Sequence, residues 1–171
     1  MGEKMNQNID IKIFNSPLEI SLRVLLLLSL NGAKGVSIER LVIYDYLIIN
    51  SGDIEGAPKS LHPALPNRSS QLLIKRELIK KALQILSSKE LILVKYTKKG
   101  ILYTPSKLSI PFITYFESDY FVELKTRIEW VIEYFKNKTE KNLNKYISSN
   151  LNKWGSEFVN EAYIREEMNY E

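Results

Sequence analysis

The chain contains no cysteine and a single histidine, His62. Without thiols there are no disulfides, thiolate zinc sites, iron–sulfur clusters or cysteine nucleophiles. One imidazole cannot build a His-rich zinc centre, and His62 lies in Leu61-His62-Pro63, where bracing a loop suits it better than catalysis. Glycine is also scarce, seven in 171 residues, and no segment has the spacing of a phosphate loop or a dinucleotide turn. Ser51-Gly52-Asp53 sets a serine near an aspartate, outside any nucleophile elbow. Asp45, Asp53 and Glu55 could gather around magnesium, but nothing in their spacing demands it. Long apolar runs are missing too. The greasiest, Val24 to Leu30, has seven residues, against the roughly 18 a membrane span needs, and reads as a core helix. The polar opening MGEKMNQNIDIK has no apolar stretch before a cleavage site. These absences predict a non-enzymatic cytoplasmic protein that needs no cofactor or metal and binds other macromolecules.

What is present suits a globular chain. Apolar residues make up 44%, enough for a core without covalent staples. Net charge is +4 but unevenly placed. Residues 68–107 carry ten Lys and Arg against two Glu, +8, whereas 157–171 carry five Glu against one Arg, −4. The basic middle reads either as a solvated helix face or as a nucleic-acid surface.

Element signals run in order. Residues 1–13 read as a loose N-terminus, with a short alternation at Ile9 to Ile13. Ser16, Pro17 and Glu19 mark a helix start with a capping box. Leu18, Leu22, Leu25 and Leu26 form the buried stripe of that helix, and Asn31-Gly32 ends it. Ser37 caps a second helix, with Val36 and Leu41 as a staple. Its apolar face carries Ile38, Leu41, Val42, Ile48 and Ile49, and also Asp45, which on such a face needs a partner or water. Residues 50–67, with two glycines and three prolines, form a connection too long for a plain turn. A third helix is expected over 70–88, with Leu72, Ile74, Leu78, Ile79, Ala82, Leu83, Ile85 and Leu86 on its apolar side. Lys75 breaks that side, where it must snorkel or pair.

Leu91 to Tyr96, a Thr97-Lys98-Lys99-Gly100 turn and Ile101 to Thr104 predict a hairpin. The order helix, helix, helix, hairpin is that of a winged helix-turn-helix with an enlarged loop before its third helix. A short aromatic helix is expected at 109–116, then a strong one striped by Phe121, Leu124, Ile128, Val131 and Phe135, then one carrying Leu143 and Ile147. The predicted fold class is therefore mainly α with a small β-hairpin. A winged helix-turn-helix-like domain over 14–107, with its long loop at 50–67, is followed by a C-terminal helical extension over 108–158 and an acidic tail over 159–171.

In a winged helix-turn-helix the third helix enters the major groove and the wing touches phosphates. Arg76, Lys80 and Lys81 on the outer side of that helix, with Lys98 and Lys99 in the wing turn, are the candidate nucleic-acid contacts. Trp154 and Phe158 are the candidate partner anchors. Such domains also serve as protein-docking modules, so both uses stay open.

Four segments carry a family resemblance: FNSPLE with LR over 14–23, RLVIYDYLIINSGD over 40–53, SLHPALPNRSSQLLIKREL over 60–78, and KWGSEF over 153–158. In this ordered combination the chain resembles the middle component, second type, of ABC-three-component systems, related to Lamassu-type anti-phage defence. The resemblance implies a non-enzymatic subunit. Its partners would be an ABC ATPase of structural-maintenance-of-chromosomes character and a variable effector subunit, often a nuclease, with weak sequence-independent DNA contact besides and no membrane. By analogy the middle protein docks on the ATPase or bridges it to the effector. The family-like loop positions are Asp45, Ser51, Gly52, Asp53, His62, Pro63 and Arg68. Their reading is a braced loop in which Arg68 offers a planar fork to Asp45 or Asp53, serving as a docking surface or as a structural plug. Relatives often carry histidine where this chain has Asn50, a departure that argues against metal in the loop. The competing reading is a winged-helix transcriptional regulator.

Overall fold

A computed structural model of the protein describes residues 16–63, 68–151 and 153–154, with the side chains of 68–71 and 73 outside that description. The expected strand at 9–13 and the acidic tail therefore lie outside the described residues. Helix α1 spans Pro17–Asn31. Ser16 accepts from the Glu19 N–H at 3.2 Å, Pro17 takes the first helical position, and Gly32, at φ 77°, closes the far end by donating to the Leu28 carbonyl. Only half of the expected capping box forms. The Glu19 carboxylate turns inward to Arg23 and Tyr120, both charge-assisted contacts.

Helix α2, Ile38–Ile49, starts on Ser37, which accepts from the Arg40 N–H at 3.2 Å. It has no solvent side after its first turn: every residue from Leu41 to Ile49 is buried. Helix α1 is almost as enclosed, which corrects the expected stripe. Ile20, Val24 and Leu25 to Leu28 form the core there, whereas Leu18, in the first turn, is 65% exposed. Helix α3, Arg68–Ser88, packs against both. It buries Ile79, Ala82, Leu83 and Leu86, while Ile74 faces solvent contrary to its expected place. Helix α3 ends with Glu90 in the left-handed region, at φ 57°, so that the Leu91 N–H reaches the Leu86 carbonyl at 3.0 Å.

Strands β1, Ile92–Thr97, and β2, Gly100–Pro105, pair antiparallel with Ile92 opposite Pro105 and Thr97 opposite Gly100. Gly100 adopts φ 121°, as the Lys98-Lys99 turn requires. Val36, between α1 and α2, adds one rung to β2: it exchanges both backbone hydrogen bonds with Tyr103, each at 2.9 Å. The short helix α4, Ser109–Ile113, follows, then α5, Asp119–Phe135, then residues 140–151 as helix α6.

The apolar side of α5 matches expectation. Leu124, Ile128, Val131 and Phe135 are buried against α1 and α2. An aromatic run then fastens α6 to α2. Phe135 meets Tyr44 and Tyr146, and Trp154 stacks on Tyr46 with centroids 5.8 Å apart. One apolar cluster thus extends from Ile20 to Trp154. Among the described residues no helix is long and apolar enough to cross a membrane.

Candidate functional site: a buried ion cluster

Beneath the 51–63 loop, α1, α2, α3 and α5 bring ionisable groups together. Asp45 sits on α2 facing α1 and α3, and is 2% exposed. Arg23 of α1 meets it as a fork, Nε donating to Oδ1 at 2.8 Å and Nη2 to Oδ2 at 3.3 Å. Lys75 of α3 donates to Oδ2 at 2.6 Å. This is the pairing anticipated for Lys75, and it answers the demand of Asp45 for a partner. The fork on Asp45 comes from Arg23; the expected fork from Arg68 to Asp45 or Asp53 falls on a side chain outside the described residues.

The cluster continues outward. Arg23 Nη1 donates to Glu19 Oε1 at 2.7 Å, one turn earlier on α1, and the Tyr120 hydroxyl of α5 donates to the same oxygen at 2.9 Å. His62 Nε2 lies 2.9 Å from the Tyr120 oxygen. The imidazole also stacks on the tyrosine ring, at 6.1 Å between centroids.

Burial and charge pull in opposite directions here. Burial alone would raise the Asp45 carboxyl, but Arg23 and Lys75 outweigh it and hold the group well below the ordinary carboxylate range. The same carboxylate keeps Arg23 protonated despite burial. At Glu19 burial dominates over the Arg23 charge and raises the pKa, consistent with a second oxygen, Oε2, that finds no hydrogen bond among the described residues. His62 is pushed down to about 4, by burial first and by the Arg23 charge second. It is therefore neutral at pH 7, and its 3.9 Å approach to Glu19 is not an ion pair. Burial and the Glu19 carboxylate raise the Tyr120 hydroxyl. Two carboxylates thus face two cations, around a neutral imidazole.

The strongest charges of the cluster are spent on one another. Among the described residues no three of His, Asp and Glu are grouped to hold a metal ion. Asp53 and Glu55 lie on the loop while Asp45 is consumed inside. What the cluster does is clamp: it ties three core helices to one another and, through His62 and Tyr120, to the loop.

The loop is fastened independently at its stem. The Leu61 N–H donates to the Ile49 carbonyl at 3.0 Å, and the Ser51 hydroxyl to the Lys59 carbonyl at 3.1 Å. Arg127 of α5 is buried and donates from Nε to that carbonyl at 2.8 Å. Gly52 is placed so tightly that a Cβ there would meet the Ser60 hydroxyl at 2.9 Å and its backbone nitrogen at 3.0 Å. Over 51–63 the loop is held by its stem bonds and by Arg127 of α5; residues 64–67 and the Arg68 side chain lie outside the described residues.

The expected nucleic-acid contacts fall on two elements. Lys98 and Lys99 project from the β1–β2 turn, exposed. On α3, Arg76 pairs with Glu39 at 3.1 Å and Lys80 with Glu77 at 2.6 Å, whereas Lys81 is exposed. The expected anchor Trp154 is 6% exposed, with its ring against Tyr46 and Tyr146 of this chain. Phe158 lies outside the described residues. Sequence reasoning overlooked Glu19 as an internal ligand, Arg23, Tyr120 and Arg127. Arg23 had a signal, a cation one turn after Glu19 at the edge of an apolar run. Tyr120 and Arg127 had none.

No curated protein matches this chain. No solved structure matches it either. A protein family does, over residues 13–157. That stretch contains every described residue of the ion cluster and of the aromatic run that closes the core, and the chain belongs to the family of ABC-three component (ABC-3C) system Middle Component 2.

Proposed function

We propose that the protein is a non-enzymatic adaptor of an ABC-three component system, built on a winged-helix-like scaffold and acting in the cytoplasm. It links an ABC ATPase of structural-maintenance-of-chromosomes character to an effector subunit, in a defence complex of the Lamassu type. The observation that carries this reading is where the family-like segments end up. Residues 14–23 supply Glu19 and Arg23, 40–53 supply Asp45, 60–78 supply His62 and Lys75, and 153–158 supply Trp154. All six side chains are used to hold the chain together, and none to face a reactant. A frame of this kind suits a subunit whose output is a shape presented to partners. The rung between Val36 and Tyr103, which joins the α1–α2 connection to the hairpin, supports the winged-helix comparison.

The decisive experiment is co-purification of this chain with the ABC ATPase of its system, at low and high salt. The adaptor reading expects a stable complex at both, and no ATP hydrolysis or DNA cleavage by this chain alone. Absence of any complex would sink it. A second reading, a DNA-binding regulator, is favoured by the exposed lysine pair Lys98 and Lys99 at the hairpin tip. Tight binding to one operator sequence, with no ATPase complex, would establish it instead.

A further inference from the structure

Among the described residues an exposed apolar surface lies away from Trp154, where sequence reasoning placed a partner anchor. A furrow runs between the start of α1 and the second half of α3, and its end is walled by α4. Its deeper part, about 520 Å³, is lined by Leu18, Leu22, Ile85, Leu108, Phe112 and Tyr115, among others. Several of these are turned outward: Leu18 is 65% exposed and Tyr115 86%. The hydroxyl in its wall, Ser21, is already engaged with the Pro17 carbonyl at 2.6 Å. The furrow is open along its length and has no converging polar groups to orient a small ligand.

Its charges are of one sign. Lys81 lines the shallower end and Lys89 the deeper, and no carboxylate lines either part. Neither lysine takes part in the ion pairs that neutralise Arg76 and Lys80 elsewhere on α3. An apolar floor with a lysine rim is the complement of an amphipathic helix whose apolar stripe is flanked by carboxylates. The helix face would remove Leu18, Phe112 and Tyr115 from water, and its acids would meet the two lysines.

We propose that this furrow receives an acid-flanked amphipathic helix of the ABC ATPase subunit. The inference rests on the adaptor reading above and gives it a docking site. The test is the affinity of the purified ATPase for full-length chain, wild type and variants. One variant carries Leu18→Ser with Tyr115→Ser, both at exposed positions; a second carries Lys81→Glu with Lys89→Glu; a control carries Tyr96→Ser on the hairpin, where the ring is 83% exposed. The two furrow variants should each lose about ten-fold or more in affinity, with unchanged melting temperature, and the control should lose nothing. The lysine variant should also show a weaker dependence on salt. Full binding by both furrow variants would overturn the docking site while leaving the adaptor reading intact. Failure of wild type to bind the ATPase would overturn both. A concentration-dependent dimer of the chain alone, abolished by the furrow variants, would assign the furrow to a second copy instead.

Discussion

Asp45 is ionised inside the core because Arg23 and Lys75 touch it there. Removing its charge while leaving theirs is the harsher change, since an unpaired buried cation has no compensation. Asp45→Asn should cost about 3–5 kcal/mol, seen as a fall in Tm of roughly 10 °C for a chain of this size. A shift under about 2 °C, well below that scaling, would mean that the pair carries little. The contribution of Asp45 is fully present above the ordinary carboxylate range and is lost only as pH falls through its depressed folded value. His62 acts higher on the scale. The unfolded chain protonates it near pH 6.5, the folded chain only near 4. Between these values the unfolded state binds more protons, so stability falls as pH falls. The stability advantage of wild type over His62→Gln should shrink by about 1–2 kcal/mol from pH 7 to pH 4, a figure reduced for partial solvent screening. Denaturant unfolding of both proteins across that range measures it, and Glu19, present in both, largely cancels. How much of this was legible differs by residue. Asp45 and Lys75 announced themselves as charges at apolar positions of a helical wheel. Arg23 showed only as a cation one turn after Glu19 at the edge of an apolar run; that it meets Asp45, 22 residues away on another helix, was not legible, because helical periodicity carries no information on how two helices approach.

At the scale of elements, local signals located nearly every helix start and the hairpin turn, because caps and turns depend on side chains within a few residues. Ser16, Ser37 and Ser118 each accept from the N–H three residues on. Burial was harder to read. In α1 and α2 neighbours close in from nearly all sides, so a stripe period does not separate inside from outside, and Leu18, in the first turn of α1, is exposed. The hairpin is the converse case: Leu93 and Tyr96 sit in a β-branched, apolar strand yet face water. Trp154 was legible as an aromatic in the last helical segment, but its direction was not. It seals α6 against Tyr46 and Tyr146. Trp154→Ala should therefore cost about 3–5 kcal/mol of stability, the usual toll for emptying a large aromatic site. Thermal unfolding tests this. Under mild conditions, where the variant remains folded, its affinity for the ATPase should match wild type; a large loss of affinity at unchanged Tm would restore Trp154 as a partner anchor.

On the whole molecule, positive charge is concentrated over 68–107, and folding divides it into cations already answered and cations that are not. Arg76 and Lys80 have carboxylate neighbours on the surface, whereas Lys98 and Lys99 stand at a hairpin tip. DNA affinity that comes from phosphate attraction depends on how many condensed counterions the protein displaces, and a lysine already paired displaces fewer. DNA contact should then be weak, indifferent to sequence and dominated by the hairpin tip. Plotted as log K against log salt concentration, each lost phosphate contact removes about 0.9 from the slope. Lys98→Ala with Lys99→Ala should flatten that slope by nearly 2 if both lysines meet phosphate, whereas Arg76→Ala with Lys80→Ala should change it by well under 1, because those substitutions also release Glu39 and Glu77. Fluorescence anisotropy on a labelled duplex at several salt concentrations separates the cases. The reverse pattern, with the α3 pair carrying the slope and affinity varying between sequences, would place α3 in the major groove and favour the regulator reading over the adaptor one.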